Sequence, residues 1–313
     1  MARVKPLKKI RQVGEAALLL LAFITIPFFP RCVVLGLAKG LGDLGRVCSP
    51  SLRRLGRANL DLAFGASRSD ADKVKILRES FRIFALVMLD LFWFAAFTRR
   101  RLERLVTFDE SIRHYHASRP ALIVTGHFGN WEVMGQSSVM LGAPIVSVAT
   151  PLRNPVAEAL MARFRRRTGQ EIERRAGAVK AMLTVLRRGG RIAILLDQNT
   201  LPHEGGVFVN FFGLPVPVSR AAATLARHTR AAVVIAHSLV GPGGTYRIFT
   251  QPPLQLGEVE DAEATQAIVA RLEALIREHP GHWLWMYKRW KYVPVGVARE
   301  RYPYYARAAP GEG

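Results

Sequence analysis

Cysteine is nearly absent: Cys32 and Cys48 are the only two in 313 residues. Two cysteines cannot staple a chain of this size, and neither stands beside a histidine in metal-ligand spacing, which excludes a disulfide scaffold and a zinc module. Acidic residues are scarce too, 24 against 45 lysines and arginines, for a formal charge of +21. Also missing are internal repeats, low-complexity tracts, the zinc-finger or aromatic-basic signatures of nucleic-acid modules, and the Gly-x-Ser-x-Gly turn of serine hydrolases. The uncharged stretch 16–30, between Glu15 and Arg31, would extend only ~22 Å as a helix, short of the ~30 Å hydrocarbon core.

Half of the residues are hydrophobic, enough for a large core. The positive excess attracts polyanions: nucleic acid, anionic lipid headgroups, phosphorylated glycolipids or an acidic carrier protein. It is spread along the chain, with clusters at Arg99, Arg100 and Arg101, at Arg165, Arg166 and Arg167, and at 288–291.

At the amino terminus a basic start (Arg3, Lys5, Lys8, Lys9, Arg11) precedes the uncharged stretch. Three readings compete for it: a membrane anchor, a cleaved signal peptide and a buried helix. Phe28-Phe29-Pro30-Arg31 offers no small-residue cleavage site, which speaks against the signal peptide. The anchor is the expectation, crossing the bilayer if Arg31 snorkels and 32–38 continue the apolar run, with a kink at Pro27 and Pro30. The basic flank then keeps the amino terminus cytoplasmic. Residues 1–40 are thus expected to be flank and anchor, and 41–313 the main domain. A second apolar stretch, 83–97, carries Asp90 as its only charge and continues a helical pattern starting near residue 70; it is expected in the core or against the bilayer.

From about residue 119 short apolar runs alternate with helical patterns, which predicts an α/β domain: one mixed sheet flanked by helices. Strands are expected at 121–125, 145–149, 191–196, 232–239 and 246–251, with a Gly- and Pro-rich loop from 197 to about 217. His127, Asp197 and the segment 150–154 each follow a strand, where ligands bind in open α/β sheets.

His127 and Glu132 are five apart, which on a regular helix would separate them by ~140°. With His127 in the turn leaving a strand and Glu132 in the next helix they can converge, and Gly126 and Gly129 supply the turn. A histidine held by a carboxylate is suited to general-base work. Without a serine nucleophile the natural reaction is direct: His127 takes the proton of an acceptor hydroxyl, which attacks a thioester. The competing reading is a buried histidine hydrogen-bonded to a neighbour.

The segment Gly-His-Phe-Gly-Asn-Trp-Glu (126–132) resembles the His-x4-acid motif of the glycerolipid acyltransferases, in the form with Glu found in the late acyltransferases of lipid A biosynthesis. Four further segments resemble that family in the right order: Pro-Leu-Arg-Asn-Pro (151–155), Asp-Gln-Asn (197–199), Gly-Val-Phe-Val-Asn-Phe-Phe-Gly (206–213) and Trp-Leu-Trp-Met-Tyr-Lys-Arg-Trp-Lys (283–291). The resemblance implies a glycerolipid-acyltransferase-like fold. It implies transfer of a fatty acyl chain from acyl carrier protein, or from coenzyme A, to a hydroxyl of a lipid-A-type glycolipid at the inner face of the bacterial inner membrane, among anionic lipids. His127 would be the base and Glu132 its orienting acid, with Asn130, Arg153, Asp197, Gln198, Lys288 and Arg289 as substrate-binding candidates. Backbone N–H groups or Arg153 would hold the oxyanion, and helix 83–97 would line the acyl channel. No metal, cofactor or nucleic acid is expected. Thr150, Asn199 and Tyr287 depart from the family's Arg, Asp and His. They leave open phosphatidylinositol mannosides, lysophospholipids or other glycolipids as acceptors. A thioesterase and a non-catalytic lipid- or nucleic-acid-binding protein are the remaining rivals.

Overall fold

Two prolines shape the amino-terminal region in a computed structural model, which describes residues 6–142, 145–149, 158–159, 171–174 and 178–310. Helix α1 (Pro6–Thr25) ends in a 3-10 turn holding Pro27, and α2 (Arg31–Cys48) starts directly after Pro30. Proline cannot donate to the helix ladder, so what reads as one apolar segment becomes two helices. Among the described residues no helix is long and apolar enough to cross a membrane. Arg31 does not snorkel: its guanidinium turns into the protein and pairs with Asp90. The boundary expected near residue 40 falls inside α2, whose Val34, Ala38 and Gly42 are buried.

Helix α3 (Pro50–Phe64) follows, then α4 (Asp70–Trp93), whose first turn is capped by Ser69 Oγ accepting from Asp72 N at 3.1 Å. After α5 (Thr98–Leu105) come β1 (Val106–Phe108) and α6 (Arg113–Ala117), which the sequence pattern does not indicate, then β2 (Ala121–Thr125), α7 (Trp131–Ser137) and β3 (Ile145–Ala149) as expected, β4 (Glu171–Arg174), again not indicated, and α8 (Ala178–Arg187) and β5 (Arg191–Leu195) as expected. The hairpin β6 (Gly206–Phe211) and β7 (Leu214–Ser219) precedes α9 (Ala221–Thr229), β8 (Ala232–Val240), β9 (Tyr246–Thr250) and α10 (Asp261–Glu278). Among the described residues seven strands form one sheet in the order β1-β9-β8-β2-β5-β3-β4. Only the β8–β9 pairing in it is antiparallel, so the sheet is mixed.

The β6–β7 hairpin replaces most of the loop expected up to residue 217. Its prolines, Pro215 and Pro217, suggested a loop, yet Val207, Val209 and Phe211 alternate on one strand and Leu214, Val216 and Val218 on the other. Phe212 and Gly213 both take positive φ (50° and 79°) at the two-residue turn, the backbone that a tight hairpin of type I′ requires. The hairpin covers a core in which Trp285 and Trp290 are fully buried and Trp283 nearly so. Phe64, Phe211 and Phe212 pack their rings around these indoles.

Candidate active site

The sheet brings two separate loops to one point. In the parallel pair β2 and β5, Thr125 lies opposite Leu195, and the pairing runs on through a bond from Leu196 N to Thr125 O at 2.9 Å. Two residues beyond that register stand His127 and Asp197. One Asp197 oxygen lies 2.8 Å from His127 Nδ1. The other accepts from the His127 backbone N–H at 2.7 Å and from Trp283 Nε1 at 2.9 Å.

The turn carrying His127 is fixed on both sides. The segment 282–284 pairs with it, Gly129 N donating to His282 O (2.9 Å) and Leu284 N to His127 O (3.1 Å). Gly126 lies so near Asp197 that a Cβ would stand 2.9 Å from the carboxylate. Gly129 has φ 55° and its Cβ would fall 1.9 Å from Ser238 O, so the turn requires glycine there.

Burial disfavours the charged form of both partners, and their attraction outweighs it. For His127 burial acts downward, but the Asp197 charge and hydrogen bond raise the imidazole above its ordinary value, with a further push from the Glu132 charge. Burial likewise pushes Asp197 up, while His127 and Trp283 hold it down at about 2. Glu132 is half-buried in the first turn of α7, and the neighbouring Trp131 ring meets the imidazole edge-on at 4.8 Å. The partner that accepts from Nδ1–H is thus Asp197, a residue expected only to bind substrate, and the Glu132 charge adds to its effect on the ring.

The remaining candidates divide. Gln198 is exposed and, with His127, Asp197, Trp283, Leu284 and Tyr287, lines a pocket of about 40 Å³. Lys288 is exposed beside it. The departures Asn199 and Tyr287 are partners: Asn199 N donates to Tyr287 OH at 3.1 Å. Two of the candidates are buried. Asn130 is fully buried, its Oδ1 capping α7 at Val133 N (3.0 Å) and its Nδ2 donating to Asp90 and Tyr246 (3.0 Å each), so its polar atoms are spent inside the protein. Arg289 is 1% exposed, donating to Asn199 Oδ1 (2.8 Å) and Pro217 O (3.2 Å), and burial lowers its pKa to about 10. With Trp285 and Trp290 also inside, the indoles and Arg289 of the segment 283–291 pack in the core, while Lys288 is exposed and Lys291 half-buried. Arg153 and Thr150 lie outside the described residues.

A small apolar cavity of about 10 Å³ beneath Asp197 is lined by Phe128, Phe211, Trp283 and α10 residues such as Val269 and Leu272. Helix 83–97 is not part of that lining. Among the described residues no cluster of His, Cys, Asp or Glu is placed to hold a metal.

A histidine group backs the turn. The Phe128 ring stacks on His282 (5.7 Å between centroids), and His237 stacks on Phe249 (5.2 Å). His282 Nε2 accepts from Val240 N at 3.2 Å. Burial, then the proximity of His279, depresses both His237 and His282 to about 4. The folded protein keeps them neutral while the unfolded chain takes up protons below its ordinary histidine value, so stability is lost as pH falls from about 6.5 toward 4. Denaturant unfolding should show a loss of about 2 kcal/mol for each histidine between pH 7 and pH 5. His237→Gln should flatten that dependence; an unchanged slope would contradict the assignment.

The sequence model of the family described as bacterial lipid A biosynthesis acyltransferase matches residues 4–292. The Escherichia coli lipid A biosynthesis palmitoleoyltransferase is 26% identical over 262 residues, 81% of this chain and 84% of the relative. The Escherichia coli lipid A biosynthesis lauroyltransferase is 27% identical over 280 residues, covering 86% and 88%. A phosphatidylinositol mannoside acyltransferase of Mycobacterium tuberculosis is 29% identical over 199 residues, 61% of each chain.

Proposed function

The chain belongs to the bacterial lipid A biosynthesis acyltransferases, and on that premise we propose that it moves a fatty acyl group from an acyl thioester to a hydroxyl of a lipid-A-precursor-type glycolipid, with His127 as general base. The observation that carries this reading is the in-register meeting of His127 and Asp197 at the ends of β2 and β5. With Asp197 holding Nδ1–H, Nε2 is the nitrogen that takes the hydroxyl proton. The oxygen then attacks the thioester carbonyl, and the thiol leaves with the proton that His127 returns. Asp197 holds the tautomer and stabilises the imidazolium, and Glu132 adds negative charge from the α7 side. Gln198 and Lys288 stand where a substrate's polar groups would pass, and Arg153 is kept as an oxyanion candidate on its sequence position alone. Acyl carrier protein suits the +21 charge as donor.

The test is purified protein with acyl carrier thioester and a lipid A precursor, read by product mass. One added acyl group supports the reading. Acylation of a phosphatidylinositol mannoside in its place moves the acceptor to that of the mycobacterial relative, and free acid released at full rate without acceptor makes the protein a thioesterase.

For the membrane, we propose an interfacial seat at the inner leaflet in place of a spanning anchor. On α2, Val33, Leu37, Leu41, Leu44 and Val47 are exposed at helical spacing, in a stripe beside the buried one of Val34, Ala38 and Gly42. Exposed Lys39, Arg53 and Arg54 lie along the same region. An apolar stripe with cationic neighbours suits a helix lying in the headgroup boundary of anionic lipid. Leu41→Asp with Leu44→Asp should lower flotation with phosphatidylglycerol-containing vesicles about tenfold or more. Flotation equal to wild type would remove α2 from the interface.

A further inference from the structure

A buried polar cluster lies behind the catalytic turn, and none of its members has been given a part in the reaction. Asp90, in the last turn of α4, is 1% exposed; Tyr246, which opens β9, and Asn130 are fully buried. Arg31, the first residue of α2, sends its guanidinium to both Asp90 oxygens, to Gly244 O at 2.8 Å and to Tyr246 OH at 3.3 Å. It also lies over the Trp93 ring at 4.8 Å. The Tyr246 hydroxyl donates to Asp90 Oδ2. Asn130 Nδ2 then donates to that same oxygen and to the Tyr246 oxygen, 3.0 Å each.

We propose that Asp90, Arg31 and Tyr246 are positioning residues for the acyl transfer, acting on His127 and Glu132 through the orientation of the Asn130 side chain. This rests on the reading of His127 as base.

An asparagine amide has two nearly isosteric ends, and one of them must be chosen. Because the Tyr246 hydroxyl gives its hydrogen to Asp90, both oxygens facing Asn130 are acceptors, and only the Nδ2 end satisfies them. The Oδ1 end is thereby directed at Val133 N, where it caps α7 at 3.0 Å. The backbone of Asn130 is tied as well, its N–H donating to Ser238 Oγ at 2.8 Å. Asn130 stands three residues after His127 and two before Glu132, at the junction that sets the angle between the catalytic turn and α7. A buried ion pair gives little stability over apolar residues of the same shape, so its presence here is better explained by the single arrangement it enforces. Through Arg31 the arrangement also depends on the seating of α2, the helix with the exposed apolar stripe.

The experiment is an exchange. Asp90→Asn alone faces one amide with another and leaves Arg31 without its carboxylate, whereas Asn130→Asp alone sets two carboxylates against one hydroxyl. The pair of changes together restores one carboxylate and one amide, with Asp a competent cap at 130. Each single variant should lose about 10- to 100-fold in kcat, with KM for the thioester changed less than about twofold, and the exchanged double variant, in which Arg31 still faces an amide at position 90, should recover part of the loss and exceed the product of the two single variants. Tyr246→Phe, which removes one hydroxyl and little volume, should fold and lose about five- to tenfold in kcat. Melting temperatures accompany each measurement. A double variant no better than the product of the two single losses overturns the proposal, as does wild-type kcat in folded Tyr246→Phe. If His127→Ala itself retains transfer, the base reading has failed; if His127→Ala is inactive while Tyr246→Phe is normal, only the positioning proposal has.

Discussion

His127→Ala is expected to lower kcat/KM for acyl transfer about 10³-fold, within the usual worth of a general base, and to leave a folded protein. Folding survives because Asp197 keeps two of its three donors: the backbone N–H of residue 127 at 2.7 Å and Trp283 Nε1 at 2.9 Å are untouched by the substitution. The carboxylate therefore stays hydrogen-bonded, and the penalty for an uncompensated buried charge is largely avoided. The turn itself is held by backbone bonds to His282 and from Leu284, not by the imidazole. A melting temperature close to wild type with transfer lowered about 10³-fold is the expected pair of results. Transfer within a fewfold of wild type would remove His127 from the mechanism, and a collapsed melting temperature would make it a structural residue.

Local pattern carried much of the fold. Short apolar runs and a period-3.6 pattern place five of the seven sheet strands and α4, while β1 and β4 go unread; Pro27 and Pro30 mark the break between α1 and α2, and both His127 and Asp197 read as strand-end residues. Their partnership does not read from sequence, because β2 and β5 become neighbours only through a sheet order that places β3 outside them. Spacing along the chain favours the near carboxylate, Glu132, over one 70 residues away. Asp90 is similar: its charge in an apolar stretch is conspicuous, yet its partners Arg31, Asn130 and Tyr246 lie 59, 40 and 156 residues away. At 283–291 the same alternation of rings and cations suits a lipid interface or a core, and the β6–β7 hairpin and α10, closing over it, take the indoles and Arg289 into the core while Lys288 stays outside. The hairpin was obscured by two prolines that an edge ribbon tolerates.

Exchanging each of the two acids near His127 for its amide separates their roles, and Asp197→Asn is expected to cost far more than Glu132→Gln. Three donors converge on Asp197: Nδ1–H, the backbone N–H of His127 and Trp283 Nε1. An asparagine offers one oxygen, which the backbone and Trp283 donors occupy together, leaving its NH₂ facing Nδ1. That group donates to Nδ1 and forces the proton onto Nε2, the nitrogen that must be bare to accept the hydroxyl proton. The loss in kcat/KM should reach about 10³- to 10⁴-fold. The residual activity should also titrate differently. In the wild type the raised His127 pKa places the acid limb of kcat/KM above the ordinary histidine value, since the base works only when neutral. Without the Asp197 charge, burial is the larger remaining influence, and the limb moves to lower pH. Glu132→Gln removes the smaller of the two charge effects and leaves the tautomer intact, so it should shift the limb less in the same direction and lose about tenfold or less. A reversed order, with Glu132→Gln the more damaging and Asp197→Asn retaining the wild-type limb, would make Glu132 the orienting acid and reduce Asp197 to an anchor for the turn.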